Sequence, residues 1–312
     1  MRILQRYALL VGTFGLVFVA FLAFVRPWYL SWGATADEQA MPLPGDSIVP
    51  DAGTQNTRAI TIHAPPEKIW PWLAQTGQDR GGFYSYDRLE NIVGCDMPNP
   101  GVLLPDKQHW QIGDKLWMYP PDKAGGGGFA TLRVIEPGRA LGFATRMLGT
   151  KLDAPEDGSW SFVLVPIDAD STRLLIRGRG TSHRSLLGTA FDRSIFEPVH
   201  FAMERRMMIG VAGMAEGHPP SAAADDVQIL LWFLTFGLVG VAKFLVVFCD
   251  RWRRPLAGFA TGLVVFQILT FAQPPIALGI VLVAALAALL FWPAHRASGD
   301  RASATVADTA AP

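Results

Sequence analysis

Hydrophobic and polar positions divide the chain into four long, mainly apolar runs and one long middle stretch where they alternate. Tyr7 to Val25 holds no charged residue and is about 19 residues long, close to the ~20 that a helix needs to cross a bilayer. Val227 to Phe248 is a second strong span, with Lys243 as its one charged residue. Leu256 to Ala272 and Ile276 to Trp292 are two more of about 17 residues, at the short end of the spanning range. Gln273-Pro274-Pro275 makes the tight turn between them. The pattern predicts about four transmembrane helices, one before the middle stretch and three after it.

The middle stretch opens with Ser31 to Gly53, polar and turn-rich, which reads as an extended tether. Arg58 to His63 alternates, with Ile60 and Ile62 on one face of a predicted strand. Ala64-Pro65-Pro66-Glu67 suits a helix start, because proline's missing N–H is free there. The helix carries Ile69, Trp70, Trp72 and Leu73, and Pro71 keeps it short or kinked. Ser85 is the expected N-cap of a second short helix, Tyr86 to Val93, with Gly94 as its stop. A proline-rich loop, 95–107, leads into strands. These are Trp110 to Tyr119, broken at Gly113-Asp114, then Phe129 to Ile135 and Ala140 to Arg146. A hairpin pairs Ser159 to Pro166 with Thr172 to Gly180 around Ile167–Asp170. The glycine run 125–128 reads as a hairpin turn, since no Lys-Ser/Thr follows it as a phosphate loop requires. Pro198 to Glu216 closes the stretch as one long helix. Val199, Met203, Met207, Gly210 and Met214 recur along it as an apolar stripe.

Composition fits this division. Half of the 312 residues are apolar and only 17% are charged, against about a quarter in ordinary soluble domains. Lysine plus arginine balance aspartate plus glutamate at 27 each. No charge run exists, so nucleic acid is not expected as a partner. The only cysteines are Cys95 and Cys249, and the second ends an apolar run, so no disulfide framework is expected. Arg2 and Arg6, then Arg251, Arg253 and Arg254, then Arg296 and Arg301 fall on one side of a four-span chain, and Asp225 and Asp226 on the other. The positive-inside rule then puts both termini in the cytoplasm of a multi-pass bacterial membrane protein and the middle domain outside it, with Arg26 dissenting. The aromatics of Arg26-Pro27-Trp28-Tyr29 favour a retained anchor over a cleaved signal peptide. The resulting map is 1–30 anchor, 31–56 tether, 57–217 folded domain, 218–226 linker, 227–293 three spans and 294–312 disordered tail.

The predicted order of strand, two short helices, several strands and one long helix is a helix-grip arrangement of class α+β. The residues carry a resemblance as well. The stretch TRAITIHAPPEKIWPWLAQTGQDRGGFYSYDRLENIVG resembles the opening of a bacterial, membrane-anchored branch of the SRPBCC superfamily. That superfamily includes START domains, the birch-pollen allergen and polyketide cyclase-like proteins. WGATADEQAMPLPGD upstream and IEPGRALGFATR, SFVLVPID, TRLLIRGRG and FEPVHFAMERRMMIGV downstream support it, over roughly Ser31 to Glu216. The resemblance implies a curved antiparallel sheet gripping the long helix, with a cavity between them for a hydrophobic ligand. It implies no single activity.

Arg80-Gly81-Gly82-Phe83-Tyr84-Ser85-Tyr86-Asp87 is the most site-like stretch. It reads either as the polar end of an apolar pocket, or as a turn in which glycines relieve the backbone and Asp87 complements a helix dipole. His200 and Glu204, four apart, share a helix face. They suit an acid–base pair, two ligands of a metal for which no third is visible, or a contact tying the helix to the sheet or the tyrosine loop. An enzyme would use Tyr84, Tyr86, His200 or Glu204 for proton transfer. The expected ligand-binding set is Arg80, Tyr84, Tyr86, Asp87, Trp117, His200, Met203 and Met207. No metal-ligand spacing or cofactor fingerprint is present. The leading reading is a membrane-anchored domain that binds a hydrophobic or lipid-like small molecule. The alternatives are a cyclase- or dehydrase-like enzyme and a non-catalytic membrane interaction module.

Overall fold

Residues 3–123, 128–146, 155–181 and 185–292 are described by a computed structural model. The first helix, α1, runs Ile3–Leu30, with a single π turn at Phe21–Val25. A short helix α2 (Ala36–Ala40) precedes β1 (Thr54–Ile62). Two short helices follow, α3 (Pro66–Ala74) and α4 (Asp87–Ile92). Then come β2 (Lys115–Trp117), β3 (Phe129–Glu136), β4 (Ala140–Thr145), β5 (Gly158–Pro166) and β6 (Thr172–Gly180). Helix α5 (Leu186–Phe191) passes through a π turn into the long α6 (Glu197–Ala215). Three apolar helices end the described chain: α7 (Ala222–Phe248), α8 (Arg253–Ala272) and α9 (Ile276–Phe291). Residues 125–127 of the glycine run and the expected tail from Ala294 lie outside the described residues.

The six strands form one antiparallel sheet in the order β1-β6-β5-β4-β3-β2. Strand alternation puts Ile62, Leu132, Leu141, Phe143, Phe162, Leu174 and Ile176 on one face, where they pack with Ile69 and Leu73 of α3 and Met207, Met208 and Val211 of α6. This is the gripped helix that the strand-and-helix order predicts. Val199 departs from the expected stripe: it is 58% exposed, and Met207, Met208 and Val211 form the buried face instead.

The expected extended tether is corrected by the structure. Residues 34–50 fold across the opposite face of the sheet, where Leu43 packs with Ala59, Ala140, Val163 and Leu175. Thr35 and Glu38 close a capping box on α2, which satisfies two free helix N–H groups reciprocally. Arg173, Arg177 and Arg179 alternate along β6 onto this face and tie the strap down. Arg173 pairs with Glu38, Arg177 with Asp46 and the carbonyl of Met41, and Arg179 donates to the carbonyls of Asp46 and Pro50. Gly45, at φ +96°, lies so close to the sheet that a Cβ would come 2.1 Å from Ser161 Oγ, which restricts that position to glycine.

Three helices, α1, α7 and α8, are long and apolar enough to cross a membrane, and the 16-residue α9 packs among them. Leu10 of α1 joins Val246, Phe259 and Leu290 in one cluster. Arg6 donates to the carbonyls of Val247 and Cys249 at the end of α7. Arg254 donates to Ala288, Leu289 and Trp292 at the end of α9. These arginines satisfy carbonyls that a helix C-terminus leaves free. They share one end of the bundle, and the folded domain meets the other. There Tyr29 stacks on Phe201 at 5.2 Å, Phe271 joins the same cluster, and Arg26 pairs with Glu197.

Candidate functional site

Helix α6 places Glu204 and His200 against the sheet. Glu204 is buried, and both its oxygens are engaged. Oε1 accepts from Arg58 of β1 at 2.5 Å and Oε2 from the Trp160 indole of β5 at 2.7 Å. Arg58 donates in turn to the carbonyl of Tyr29 at 2.8 Å, in the last turn of α1. His200 stands 3.9 Å from Glu204, stacked on Phe196. Burial pushes its pKa down, and the Glu204 carboxylate opposes that shift. The histidine–glutamate spacing is thus part of an ionic tie that joins α1, the sheet and the long helix. Arg58, its cation, has no sequence signature beyond a charge in a strand.

The tyrosine loop packs on the same helix one turn and a half further on. Tyr84 is buried at φ +56°, an uncommon conformation for a side chain of its size. Its hydroxyl donates to the carbonyl of Trp72 at 3.0 Å. Gly210 makes the close approach possible, since a Cβ there would lie 2.2 Å from the carbonyl oxygen of Tyr84. Ser85 is not the expected N-cap. Tyr86 occupies that position with no side-chain cap, and Ser85 Oγ donates to the carbonyl of Met203 at 3.0 Å. Asp87 accepts from Asn99, and burial lifts its pKa to about 6. Glu90, one turn on, is lifted to about 7 by burial and then by Asp87.

The remaining expected residues are spread apart. Arg80 lies 3.7 Å over the Trp110 ring and donates to the carbonyl of Lys107. Trp117 sits on edge strand β2 against Phe129. Met207 is in the sheet–helix core, and Met203 is half-buried beside Ser85. Among the described residues no group of three or more His, Cys, Asp or Glu is placed to hold a metal ion.

The sheet–helix space expected to hold a cavity contains packed core around Met207 and Met208. An open cavity of about 640 Å³ lies on the outer side of α6 instead. One wall comes from the domain: Ile60, Thr61 and His63 of the first strand and its turn, Tyr86, and Arg205, Arg206, Ile209 and Ala212 of α6. The other comes from the bundle: Trp32 beyond α1, Ser221, Asp225 and Gln228 around the start of α7, and Gln273 and Ile276 at the α8–α9 turn. Of the expected set, only Tyr86 lines it. The Tyr86 ring meets Trp232 of α7 edge-on at 4.9 Å. Arg206 forks onto Asp225 at 2.8 and 2.6 Å, fixing α6 against the first turn of α7. The adjacent arginines of Met203-Glu204-Arg205-Arg206-Met207 were the available signal: two neighbouring cations stand between the methionines of the helix.

No family model and no curated protein matches the chain. Solved structures that resemble it include protein MLL2253 from Mesorhizobium loti, 15% identical, covering 54% of this chain and 100% of that one at a TM-score of 0.30. A protein from Thermobifida fusca is 15% identical, covering 54% and 97% at 0.33. The Polyketide_cyc-like protein Cgl2372 from Corynebacterium glutamicum is 13% identical, covering 53% and 86% at 0.25. Likeness at this level says nothing of ligand or activity in this chain.

Proposed function

We propose that this chain is a membrane-anchored domain that takes an amphipathic, lipid-like molecule into the cavity at its junction with the helical bundle. The observation that carries this reading is the cavity's double wall. It is bounded by α6 and β1 on one side and by the ends of α7 and α9 on the other. A molecule there sits at the level of the headgroups, with apolar side chains and polar tips both in reach, as binding pockets require. We place four spans in the membrane, with both termini cytoplasmic and the domain outside. In support, Arg6 and Arg254 gather at the bundle end away from the domain.

The same reading lays α5 and the start of α6 against the bilayer surface. Leu187, Phe191, Ile195 and Val199 recur every four residues and are all exposed. Glu197, beside them, is paired with Arg26 at the end of the first span, so this apolar edge begins where the membrane ends. Interfacial helices of that kind bury their apolar side at the acyl boundary.

Photo-cross-linking tests the reading. The full chain is reconstituted in phosphatidylcholine nanodiscs doped with a tail-labelled photoreactive phospholipid. Adducts on α6 between Arg205 and Glu216 are expected. Adducts confined to the outer surfaces of α1, α7, α8 and α9 would sink it.

A further inference from the structure

Arg205 and Arg206 stand side by side on the cavity wall with different balances of charge. Arg206 is 7% exposed. Its Nε and Nη2 are held by Asp225, and its Nη1 is buried with no hydrogen-bond partner. Arg205 forms no ion pair among the described residues. Its Nη1 donates to Gln273 Oε1, an amide that brings no charge, and its Nε is buried without a partner. Its guanidinium lies 4.8 Å over the Trp32 ring. The other carboxylate on the lining, Glu216, accepts from the backbone N–H of His63.

A half-buried guanidinium with no counter-ion and unused donors is costly to hold. Burial accordingly pushes the Arg205 pKa below its usual range. An oxyanion offsets that cost, and the planar fork of arginine matches carboxylate and phosphate oxygens. Trp32, Ile60, Ile209, Ala212 and Ile276 supply the apolar remainder of the wall.

We propose that the junctional cavity selects an anionic amphiphile, whose phosphate or carboxylate is held at Arg205 beside Arg206 while its apolar tail lies along Trp32, Ile209 and Ile276. This rests on reading the cavity as an amphiphile site, and it adds the sign of the headgroup. Titration of the full chain in a neutral detergent tests it. Phosphatidylglycerol, the diacylglycerol with the same acyl chains, which lacks the phosphate, and inorganic phosphate are added separately and followed by native mass spectrometry for the lipids and tryptophan emission for all three. Phosphatidylglycerol is expected to bind about tenfold or more tighter than diacylglycerol, the scale of a hydrogen bond to a charged group. Arg205→Gln should erase the preference while diacylglycerol binding and melting temperature persist. Arg205→Lys, which keeps the charge, should retain part of it. Arg88→Gln, at an arginine outside the lining with a side chain 71% exposed, should leave it whole. Equal binding of both lipids to the unaltered chain overturns the headgroup assignment and leaves the amphiphile site standing. No binding of either lipid overturns both. Saturation by inorganic phosphate alone, with no further gain from a lipid tail, overturns the amphiphile and leaves a free oxyanion as the ligand.

Discussion

Arg58 on β1 and Glu204 on α6 meet as a buried ion pair, Nη1 to Oε1 at 2.5 Å, each side chain 1% exposed. The pair holds the long helix to the sheet, and Arg58 also grips the carbonyl of Tyr29 at the end of α1. Truncating one partner strands the other charge in the core, at ~3–5 kcal/mol. Glu204→Leu is therefore expected to lower the melting temperature strongly in detergent. The double change Arg58→Met with Glu204→Leu should recover at least half of the loss, because it removes both charges together. No recovery would mean that the pair contributes through something other than mutual charge compensation.

Tyr84 and Ser85 tie the tyrosine loop to the fold through backbone carbonyls of Trp72 and Met203. Tyr84→Phe deletes the hydrogen bond to the Trp72 carbonyl and should cost ~0.5–1.5 kcal/mol or more, with the orphaned acceptor buried. Gly210→Ala gains up to ~1 kcal/mol of helix propensity but drives a methyl toward the Tyr84 carbonyl, so a net loss is expected. Ser85→Ala should lose about one neutral hydrogen bond, to Met203, rather than a helix cap. Chemical denaturation of the three variants orders them. A stabilised Gly210→Ala would show that the loop can withdraw from α6.

Stability should fall as the solution is made alkaline from weak acid. Burial raises Asp87 from 3.8 to about 6 and Glu90 from 4.5 to about 7. Between about pH 4 and 7 the folded chain therefore holds more protons than the unfolded one, and stability declines as pH rises through that window. Below it both states are protonated and nothing is lost. Above it the loss is complete, on the order of a few kcal/mol. Glu90→Gln should remove about half of the slope, and leave the part that Asp87 contributes. Melting curves at pH 5 and pH 8 with an equal slope in the variant would contradict the assignment.

The exposed row Leu187, Phe191, Ile195 and Val199 should lie in the bilayer surface. A polarity-sensitive fluorophore at residue 191 of the reconstituted chain is expected to shift to the blue and to be quenched by brominated acyl chains. The same probe at residue 167, on the β5–β6 hairpin and 54% exposed, should respond to neither. Identical emission at both sites would separate this edge from the membrane.

The sequence made the elements legible because their periods are local. Alternation in β1, β3, β5 and β6, the prolines at the start of α3, and the long apolar runs each depend on neighbours along the chain. Residues 34–50 were misread because their partners are distant. Arg173, Arg177 and Arg179 look like ordinary strand charges until the sheet brings Glu38 and Asp46 beneath them. Ser85 failed as a cap for a similar reason, since α6 offers its hydroxyl a carbonyl 118 positions away. The cavity was the least legible feature. Its lining runs from Trp32 to Ile276, and only the docking of domain on bundle assembles it. The methionines of α6 marked a face correctly, but that face is core, and the arginines beside it line the opening.

Filling the cavity tests the central claim most directly. Ile209 lines it and is 38% exposed, so Ile209→Trp occupies the space with little disturbance of the core. The full chain, extracted in mild detergent and examined by native mass spectrometry, should retain one amphiphile of lipid mass. The Ile209→Trp chain should emerge without it, at an unchanged melting temperature. An amphiphile retained equally by both chains, or absent from the unaltered one even after lipid is supplied, would contradict the account.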